Sequence, residues 1–412
     1  MKRDTTLRGR RLAVLGAGPL GLEAALAAAE LGAQVRVYER GAVAANVEAW
    51  GHVRLFSPFG MNRSELGRRV LLDRGLDLPD DDALLTGRDY RARYLLPLAE
   101  SPLLAGRIET GTTVLAVARD GLLKNDAIGD PGRAEVPFRI LLDREGAERE
   151  ETADVVLDVT GSYGNPNWMG AGGVPALGER ALRDRIEYGI PDVSGADRSR
   201  YAGRRTLVVG GGHSAATTVV ALARLAAEAP GTSAVWATHR AGAAPVGRVE
   251  DDPLPERDAL ARDANAIAGD PGSAIEWRGR TSVTAIAADG RGFRVRLEAP
   301  AGAAEERFDR VVANVGYVPD ASLYRQLQVH ECYATAAPMK LSAAILAAAG
   351  AGAGDCLKLG GFGPDVLVNP EPNFFIIGMK SYGRNSAFLL RTGHEQVRDV
   401  LALLAGSAAV AS

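Results

Sequence analysis

Two glycine-rich segments of the kind that binds a dinucleotide occur in this chain, each directly after an apolar run. The first run, Leu12 to Leu15, leads into Gly16-Ala17-Gly18-Pro19-Leu20-Gly21. In such a segment the first glycine permits a tight turn, the second lets the backbone approach a pyrophosphate, and the third lets a helix pack against a strand. The N-terminus of that helix offers free N–H groups to the phosphates. The residues expected to contact the dinucleotide are Gly16, Gly18, Pro19, Leu20 and Gly21.

An acidic residue stands at the end of the next predicted strand. This strand covers Gln34 to Tyr38, and Glu39 follows it, about 20 residues after the glycines, where an acid accepts hydrogen bonds from ribose hydroxyls. A carboxylate there also repels a 2′-phosphate. The first site is therefore expected to bind FAD or NAD rather than NADP, with Glu39 and the adjacent Arg40 as cofactor contacts.

The second glycine-rich segment is followed by a different residue type. It reads Gly210-Gly211-Gly212-His213-Ser214-Ala215, with alanine as an accepted replacement for the third glycine. The next predicted strand, Ser233 to Thr238, ends in His239-Arg240 and has no acid. An arginine there can pair with a 2′-phosphate, which favours NADPH, although a solvated surface arginine is the alternative. The expected contacts are Gly210, Gly212, His213, Ser214, Ala215 and Arg240.

The second segment also resembles the nucleophile elbow of hydrolases. Gly212-His213-Ser214-Ala215-Ala216 follows a strand, with alanine in the last place of the Gly-x-Ser-x-Gly pattern. Ser214 would then need an acid and a histidine, for which Asp309 or Asp320 with His330 or His394 can be nominated. Nothing in their spacing singles them out, and a hydrolase would not explain the first glycine segment.

Composition limits the classes of partner. A formal net charge of -3 in a chain of 412 residues argues against nucleic acid or an anionic membrane as the main partner. No apolar run reaches the roughly 18 residues of a membrane span, and Met1 to Asp4 leads almost directly into the first strand. Cys332 and Cys356 lie outside any Cys-x-x-Cys and are expected to be unreactive, and no zinc-ligand cluster is present. The protein is expected to be cytoplasmic and to bind no metal, nucleic acid or membrane. A homodimer is possible.

The two halves of the chain repeat one plan: a glycine segment, several strands, then a strand that exits through glycine. The exits are Ala153 to Gly161 and Phe308 to Gly316, where glycine allows the backbone to turn close to a ring system. This predicts an α/β protein with two Rossmann-like three-layer domains, the NADPH domain inserted into the FAD domain. The expected boundaries are 1–165 and 319–412 for the FAD domain, with a substrate lid over 325–365, and 166–318 for the NADPH domain.

Individual strands are also predicted. Arg107 to Thr110, Thr113 to Val117 and Phe138 to Leu142 are expected to form a meander on the first domain. Ser282 to Ala287 and Phe293 to Leu297 should form a hairpin around Asp289-Gly290. Asn373 to Gly378 is one more buried strand, and Thr392 is expected to open and cap the last helix.

The order of these motifs resembles that of a known superfamily. After the first glycine segment come Asp158-Val159-Thr160-Gly161 with Pro166, then the second segment, then Asn314 to Asp320. This order resembles the flavoproteins with two dinucleotide-binding domains, of the pyridine nucleotide-disulfide oxidoreductase superfamily. Within them it is most similar to flavin-containing, N-hydroxylating and Baeyer-Villiger monooxygenases. The resemblance covers most of the chain.

The resemblance implies an FAD- and NADPH-dependent monooxygenase. A flavin hydroperoxide formed with molecular oxygen would transfer one oxygen atom to a nitrogen or sulfur, less favourably a carbonyl, of a small molecule, while the protein supplies orientation and a dry site. Thr160, Gly161 and Gly316 would lie at the cofactors, and the helix beginning at Thr392 would stabilise negative charge on reduced flavin. Candidates beside the flavin or substrate are Ser57, Asn62, Arg384 and Asn385.

Departures from the superfamily keep other functions open. The monooxygenase motif Phe-x-Gly-x-x-x-His is at best eroded at Ala176-Leu177-Gly178, which counts against a Baeyer-Villiger enzyme. The Gly-Asp of thioredoxin-reductase-like relatives is replaced by Gly378-Met379, and Cys-x-x-Cys is missing, which counts against a disulfide reductase. One alternative is an NAD(P)H reductase or dehydrogenase that passes electrons to a quinone or protein acceptor. The other is a nucleotide-binding sensor.

Overall fold

The chain folds into two compact units, of which the second is inserted into the first. The computed structural model describes residues 7–240, 242–350, 357 and 362–406. Unit 1 comprises residues 1–51, 57–165 and 318–412, and unit 2 comprises 52–56 and 166–317. The short segment 52–56 thus groups with the second unit, whereas the sequence placed it within the first.

The first part of unit 1 alternates strands and helices and then turns to antiparallel strands. A π-helical turn, Arg91–Leu95, separates its last two helices. The elements are β1 (Arg11–Leu15), α1 (Pro19–Glu30), β2 (Gln34–Tyr38), α2 (Ala45–Ala49), α3 (Phe59–Asn62), α4 (Glu65–Asp73), α5 (Gly87–Tyr90), α6 (Leu96–Ala99), β3 (Ile108–Glu109), β4 (Thr113–Arg119), β5 (Phe138–Arg144), β6 (Ala147–Ala153) and β7 (Val155–Asp158).

Unit 2 follows the same plan. Its elements are α7 (Arg198–Tyr201), β8 (Arg205–Val209), α8 (His213–Glu228), β9 (Ser233–Ala237), α9 (Pro255–Gly269), β10 (Ile275–Arg278), β11 (Ser282–Asp289), β12 (Gly292–Ala299), β13 (Gly302–Phe308) and β14 (Arg310–Ala313). The chain then returns to unit 1 with β15 (Glu331–Cys332), β16 (Ala337–Pro338), α10 (Met339–Gly350), β17 (Phe374–Ile376) and α11 (Leu390–Leu404). Of the expected lid over 325–365, residues 351–356 and 358–361 lie outside the described residues.

Each unit combines a parallel sheet with an antiparallel one. In unit 1 the parallel strands run in the order β17-β7-β1-β2-β3, and β4-β5-β6 form the antiparallel sheet. In unit 2 the order is β10-β9-β8-β14, with β11-β12-β13 antiparallel. The α/β class and the Rossmann-like sheets predicted from sequence are confirmed, and so is the hairpin of β11 and β12.

The predicted meander was wrong in its first strand. Ile108 and Glu109 pair in parallel with Val37 and Tyr38 of β2, so they extend the main sheet. In the antiparallel sheet of unit 1, the strand that the sequence did not predict is β6, whose seven residues are mostly charged and exposed. Because β6 lacks the apolar alternation of a half-buried strand, periodicity could not reveal it.

The two parallel sheets begin with the same hydrogen bond. The backbone N–H of Arg11, the first residue of β1, donates to Asp154 at 2.8 Å. The N–H of Arg205, the first residue of β8, donates to Asp309 at 2.8 Å. Asp154 directly precedes β7, the parallel neighbour of β1, and Asp309 directly precedes β14, the parallel neighbour of β8. The repeat seen in the sequence therefore extends to the amino ends of the two sheets.

A buried cluster of charges anchors the loop before β5. The carboxylate of Glu371 lies 2.7 Å from Nε of Arg119 and 2.9 Å from Nη2 of Arg133, and all three side chains are essentially unexposed. The backbone N–H of Gln328 donates to the same carboxylate at 2.9 Å. Since a buried carboxylate requires such partners, this cluster ties β4 to the segment that precedes β17.

Among the described helices, none is both long and apolar enough to cross a lipid bilayer.

Candidate functional site

The first glycine turn, defined as Gly16 to Gly21, lies between the carboxyl end of β1 and α1. A side chain at Gly21 would overlap the carbonyl oxygen of Gly16, and one at Gly16, whose φ is +102°, would come within 3.1 Å of the Val159 oxygen. A Cβ on Gly18, in contrast, would meet no atom within 4 Å. Gly18 is also the N-cap of α1 and has no side-chain cap. The turn therefore presents uncapped N–H groups to open space, which is where a pyrophosphate fits.

Glu39 is held in place at the end of β2. Its Oε2 accepts a hydrogen bond from the Ala17 N–H and its Oε1 from the Gly41 N–H, both at 2.8 Å. Each carboxylate oxygen keeps a second acceptor position, which ribose hydroxyls can use. Arg40 is exposed, and its guanidinium lies against Gly164, where a Cβ would collide with it. The residues around the first turn therefore fit the adenosine half of FAD.

The second glycine turn, Gly210 to Ala215, reproduces this geometry between β8 and α8. A side chain at Gly210, with φ of +135°, would overlap the Asn314 oxygen, whereas a Cβ on Gly212 would meet nothing within 4 Å. Gly212 is the N-cap of α8 and also lacks a side-chain cap. Ala215 is fully buried at the third position. The indole N–H of Trp236 donates to the Gly210 oxygen at 2.7 Å and fixes the turn.

His213 opens α8 and is only partly exposed. Its ring stands edge-to-face against Phe56 at a centroid distance of 5.6 Å, which explains why segment 52–56 groups with unit 2. Burial lowers the pKa of His213, and the nearby Arg257 guanidinium lowers it further. The imidazole is therefore neutral at pH 7 and can donate one hydrogen bond.

The structure does not support the hydrolase interpretation of Ser214. Ser214 is exposed on the first turn of α8, beyond the carboxyl end of β8. Asp309 binds the N–H of Arg205 at the opposite end of the same strand. The other nominated partners, Asp320, His330 and His394, belong to unit 1.

Within unit 2, the residues at the end of the second glycine exit pair with those at the start of the inserted segment. Pro166 and Tyr317 form an antiparallel bridge, and the N–H of Asn167 donates to the Gly316 oxygen at 3.0 Å. Gly316 has a φ of +77° and Gly161 a φ of +68°, so both use the backbone freedom of glycine. A Cβ on Gly161 would meet nothing within 4 Å, which leaves the backbone there open to a ligand.

Thr160 belongs to a buried ionic group that sequence reasoning missed. Nζ of Lys380 lies 2.6 Å from Oδ2 of Asp158 and donates to Oγ1 of Thr160 at 3.0 Å. The Thr160 hydroxyl donates to Oδ1 of Asp158 at 2.7 Å, and the ring of Tyr324 lies 4.9 Å from the ammonium. Lys380 and Asp158 are fully buried. The sequence carried a signal, because Asp158 interrupts an apolar strand and Lys380 is one of only five lysines.

Ser57 and Asn62 are bonded to each other. The Ser57 hydroxyl donates to Oδ1 of Asn62 at 2.7 Å, and the Asn62 amide donates to the Ser57 carbonyl at 2.9 Å. The hydroxyl of Tyr90 donates to the Asn62 carbonyl at 2.7 Å, and both Ser57 and Asn62 are buried. These contacts close the loop around α3, while their expected approach to the flavin stays a prediction.

The two candidate residues that follow β17, Arg384 and Asn385, make separate local contacts. Arg384 is exposed, and its N–H donates to the Thr335 oxygen at 2.8 Å. Oδ1 of Asn385 accepts the Ala387 N–H at 2.9 Å, which makes it a turn residue. Thr392 does not cap α11, since the N-cap is Leu389 and has no side-chain cap; Thr392 is instead buried in the first turn. Burial lowers the pKa of His394, two residues later, to about 4.

The thiol of Cys332 ionises more readily than the sequence suggested. It is half-buried in β15. Hydrogen bonds, chiefly from the side chain of Thr335 and then from that of Ser342, lower the pKa of its thiol to about 7. Cys356 lies outside the described residues. Within the described part of the chain, no group of three or more His, Cys, Asp or Glu side chains is arranged to hold a metal ion.

Comparison with known proteins identifies the fold. No protein-family model matches the sequence, and no curated protein matches it significantly. Among solved structures, the bacillithiol disulfide reductase of Bacillus cereus is 18% identical with a TM-score of 0.66, covering 96% of this chain and 99% of its own. The ornithine N-hydroxylase of Kutzneria sp. 744, whose structure contains reduced FAD, NADP⁺ and L-ornithine, is 16% identical with a TM-score of 0.62, covering 96% and 98%.

A thioredoxin reductase from T. acidophilum is also similar. It is 14% identical with a TM-score of 0.59, covering 96% of this chain and 99% of that one. Reductases and a hydroxylase thus align over nearly the whole length of both chains. The chain therefore has the fold that thioredoxin reductases and ornithine N-hydroxylases share, as its motifs predicted.

Proposed function

We propose that this protein is an FAD-dependent oxidoreductase reduced by NADPH. The observation that carries the proposal is the pair of glycine turns, each with its middle glycine facing open space at an uncapped helix N-terminus. Glu39 would bind the ribose of FAD at the first turn, and Arg240 would pair with the 2′-phosphate of NADPH at the second. FAD, when bound, supplies the redox chemistry, and the protein binds and orients both nucleotides.

Within that class we propose a monooxygenase acting on a nitrogen or sulfur atom of a small molecule. The balanced reaction consumes NADPH, a proton, oxygen and substrate, and yields NADP⁺, water and the oxygenated product. The structural similarity to an ornithine N-hydroxylase supports this assignment. So does the sequence of the glycine exits, Thr160-Gly161 and Val315-Gly316, which resembles that branch.

A second candidate is an NAD(P)H reductase that passes electrons to a quinone, a protein or a disulfide. Its support is the similarity to a bacillithiol disulfide reductase and a thioredoxin reductase, together with the lowered thiol pKa of Cys332. The two candidates differ in the reaction of the reduced enzyme: a monooxygenase transfers an oxygen atom from O₂ to its substrate, whereas a reductase passes its electrons to another acceptor.

Two glycine variants test the assignment of the cofactors. Gly18 and Gly212 have φ values of -78° and -101°, so valine fits both backbones, and its side chain would meet open space. Gly18→Val should fold but purify without FAD, because the side chain occupies the place of the pyrophosphate. Gly212→Val should retain FAD but lose reduction by NADPH. Gly269→Val, at an exposed glycine that also has open space, is the matched control and should behave as the wild type.

The reaction is tested by reducing the FAD-loaded protein anaerobically with NADPH or NADH and then adding oxygen. A monooxygenase should transfer label from ¹⁸O₂ into one of a panel of amines and sulfides. Fast turnover with a quinone or disulfide and no labelled product would favour the reductase. Failure to bind FAD at all would overturn both candidates.

A further inference from the structure

Two exposed arginines meet at the carboxyl end of the parallel sheet in unit 2. Arg240 follows β9, and Arg280 follows the neighbouring strand β10. In the described part of the chain, neither guanidinium forms an ion pair with a carboxylate. Arg278, only two residues before Arg280, is by contrast paired with both Glu276 and Glu306.

Backbone hydrogen bonds hold the two arginines together. The N–H of Arg280 donates to the Arg240 oxygen at 3.3 Å, and the N–H of Thr281 donates to the Thr238 oxygen at 2.9 Å. The indole N–H of Trp277 also donates to the hydroxyl of Thr238 at 3.0 Å. The extensions of β9 and β10 are therefore joined through their backbones, and both arginines are exposed at this edge.

Arg280 occupies a backbone conformation that an arginine does not favour. Its φ is +52°, in the left-handed region, where glycine or asparagine is normally found. The neighbouring glycine, Gly279, is required for a different reason: a Cβ there would come within 3.2 Å of the Trp277 ring. A strained residue whose guanidinium has no carboxylate partner in the described part of the chain points to a function that needs its side chain.

The position of the pair indicates the ligand. In a dinucleotide-binding domain, the adenosine ribose lies at the carboxyl end of the second strand, which here is β9. A 2′-phosphate at that ribose carries up to two negative charges, and guanidinium groups bind phosphate oxygens in a bidentate manner. Two guanidinium groups without a carboxylate partner among the described residues, and a sequence with no acid directly after β9, match a 2′-phosphate better than a free ribose diol, which requires an acceptor.

We propose that Arg280, together with Arg240, clamps the 2′-phosphate of the nucleotide and thereby determines the preference for NADPH over NADH. The inference rests on the proposed function in requiring that unit 2 bind a nicotinamide dinucleotide. It adds a specificity-determining residue on the third strand of the domain, outside the motif that predicted Arg240.

Arg280→Asn is the informative variant, because asparagine tolerates a positive φ and carries no charge. Thermal stability should be unchanged or raised, whereas the Kd for NADP⁺ should rise by about tenfold or more with the loss of a charge-assisted contact. The Kd for NAD⁺ should change little. Both constants are measured by calorimetry on the FAD-loaded protein, and adenosine 2′-monophosphate should compete with NADP⁺ more weakly in the variant.

Arg291→Asn is the matched control, since Arg291 is exposed in the hairpin turn between β11 and β12 and its loss removes the same charge. The inference is overturned if Arg280→Asn binds NADP⁺ as the wild type does, if it weakens NADP⁺ and NAD⁺ equally, or if the wild type binds neither nucleotide. Tight and selective NADP⁺ binding without reduction of the flavin would instead contradict the proposed function while supporting the clamp.

Discussion

The helix α1 buries one ionisable side chain, that of Glu23. Glu23 is 6% exposed on the helix that begins at the first glycine turn. The Ser64 hydroxyl donates to its Oε2 at 2.7 Å, and the same hydroxyl oxygen accepts the Gly67 N–H as the N-cap of α4. Burial raises the pKa of Glu23 to about 7, although the Ser64 hydrogen bond acts in the opposite direction. Between about pH 4.5 and 7, the Glu23 carboxyl group is therefore protonated in the folded protein but ionised in the unfolded chain.

This shift predicts a stability that falls as the pH rises. Between about pH 4.5 and 7 the unfolded chain loses the Glu23 proton and the folded protein keeps it, so folding is disfavoured by up to about 3 kcal/mol at the upper end. Glu23→Gln cannot ionise and should become progressively more stable than the wild type across this range, as measured by urea unfolding at each pH. Glu298→Gln, an exposed acid on β12, should show no such trend. A constant difference between wild type and Glu23→Gln would contradict the prediction.

At the scale of elements, one ion pair joins the end of β7 to the segment that follows β17. Lys380 lies four residues after β17, and Asp158 is the last residue of β7. Their contact also fixes the Thr160 hydroxyl at the first glycine exit. Because both charges are fully buried, each depends on the other for compensation.

Removal of the cation should therefore be costly. Lys380→Met leaves the Asp158 carboxylate buried without a counter-charge, and we expect a loss of about 3–5 kcal/mol in the free energy of unfolding. The double variant Lys380→Met with Asp158→Asn should recover part of that loss, because no buried charge is left. Urea unfolding measures both, with Lys340→Met, an exposed lysine on α10, as the control. Equal effects of Lys380→Met and Lys340→Met would show that the pair does not stabilise the fold.

At the scale of the whole molecule, the insertion has adjacent ends. Pro166 and Tyr317 bridge each other within unit 2, and in unit 1 the N–H of Val318 donates to the Asn165 oxygen at 3.0 Å. Each unit also has a core of its own, centred on Val208 and Trp236 in unit 2 and on Leu15 and Phe374 in unit 1. Insertions with neighbouring ends and independent cores can be excised at little cost.

We therefore expect residues 166–317 to fold when expressed alone and to bind NADP⁺ but not FAD. Residues 1–165 joined to 318–412 by a short glycine-serine linker should bind FAD but not NADP⁺. The contact of Phe56 with His213 is lost in the first fragment, so its affinity should be lower than that of the intact chain. Circular dichroism and calorimetry check both fragments; an unfolded 166–317 fragment would show that the units depend on each other for stability.

The sequence by itself determined the α/β class, the two glycine turns and their repeat, because these depend on local properties. A tight turn at Gly16 or Gly210 and an uncapped helix start require particular residues at fixed spacing, and that spacing is visible in one dimension. The same local reasoning failed at β6, where the apolar pattern is missing, and at Thr392, where helix ends are poorly defined by sequence.

Only the tertiary structure decided which charged side chains meet. Lys380 and Asp158 are 222 residues apart, and Glu23 and Ser64 are 41 apart. The backbone contact that brings Arg280 next to Arg240 depends on the parallel register of β9 and β10. No periodicity encodes such pairs, since their contact results from the packing of whole elements and their energy from burial that exists only in the folded chain.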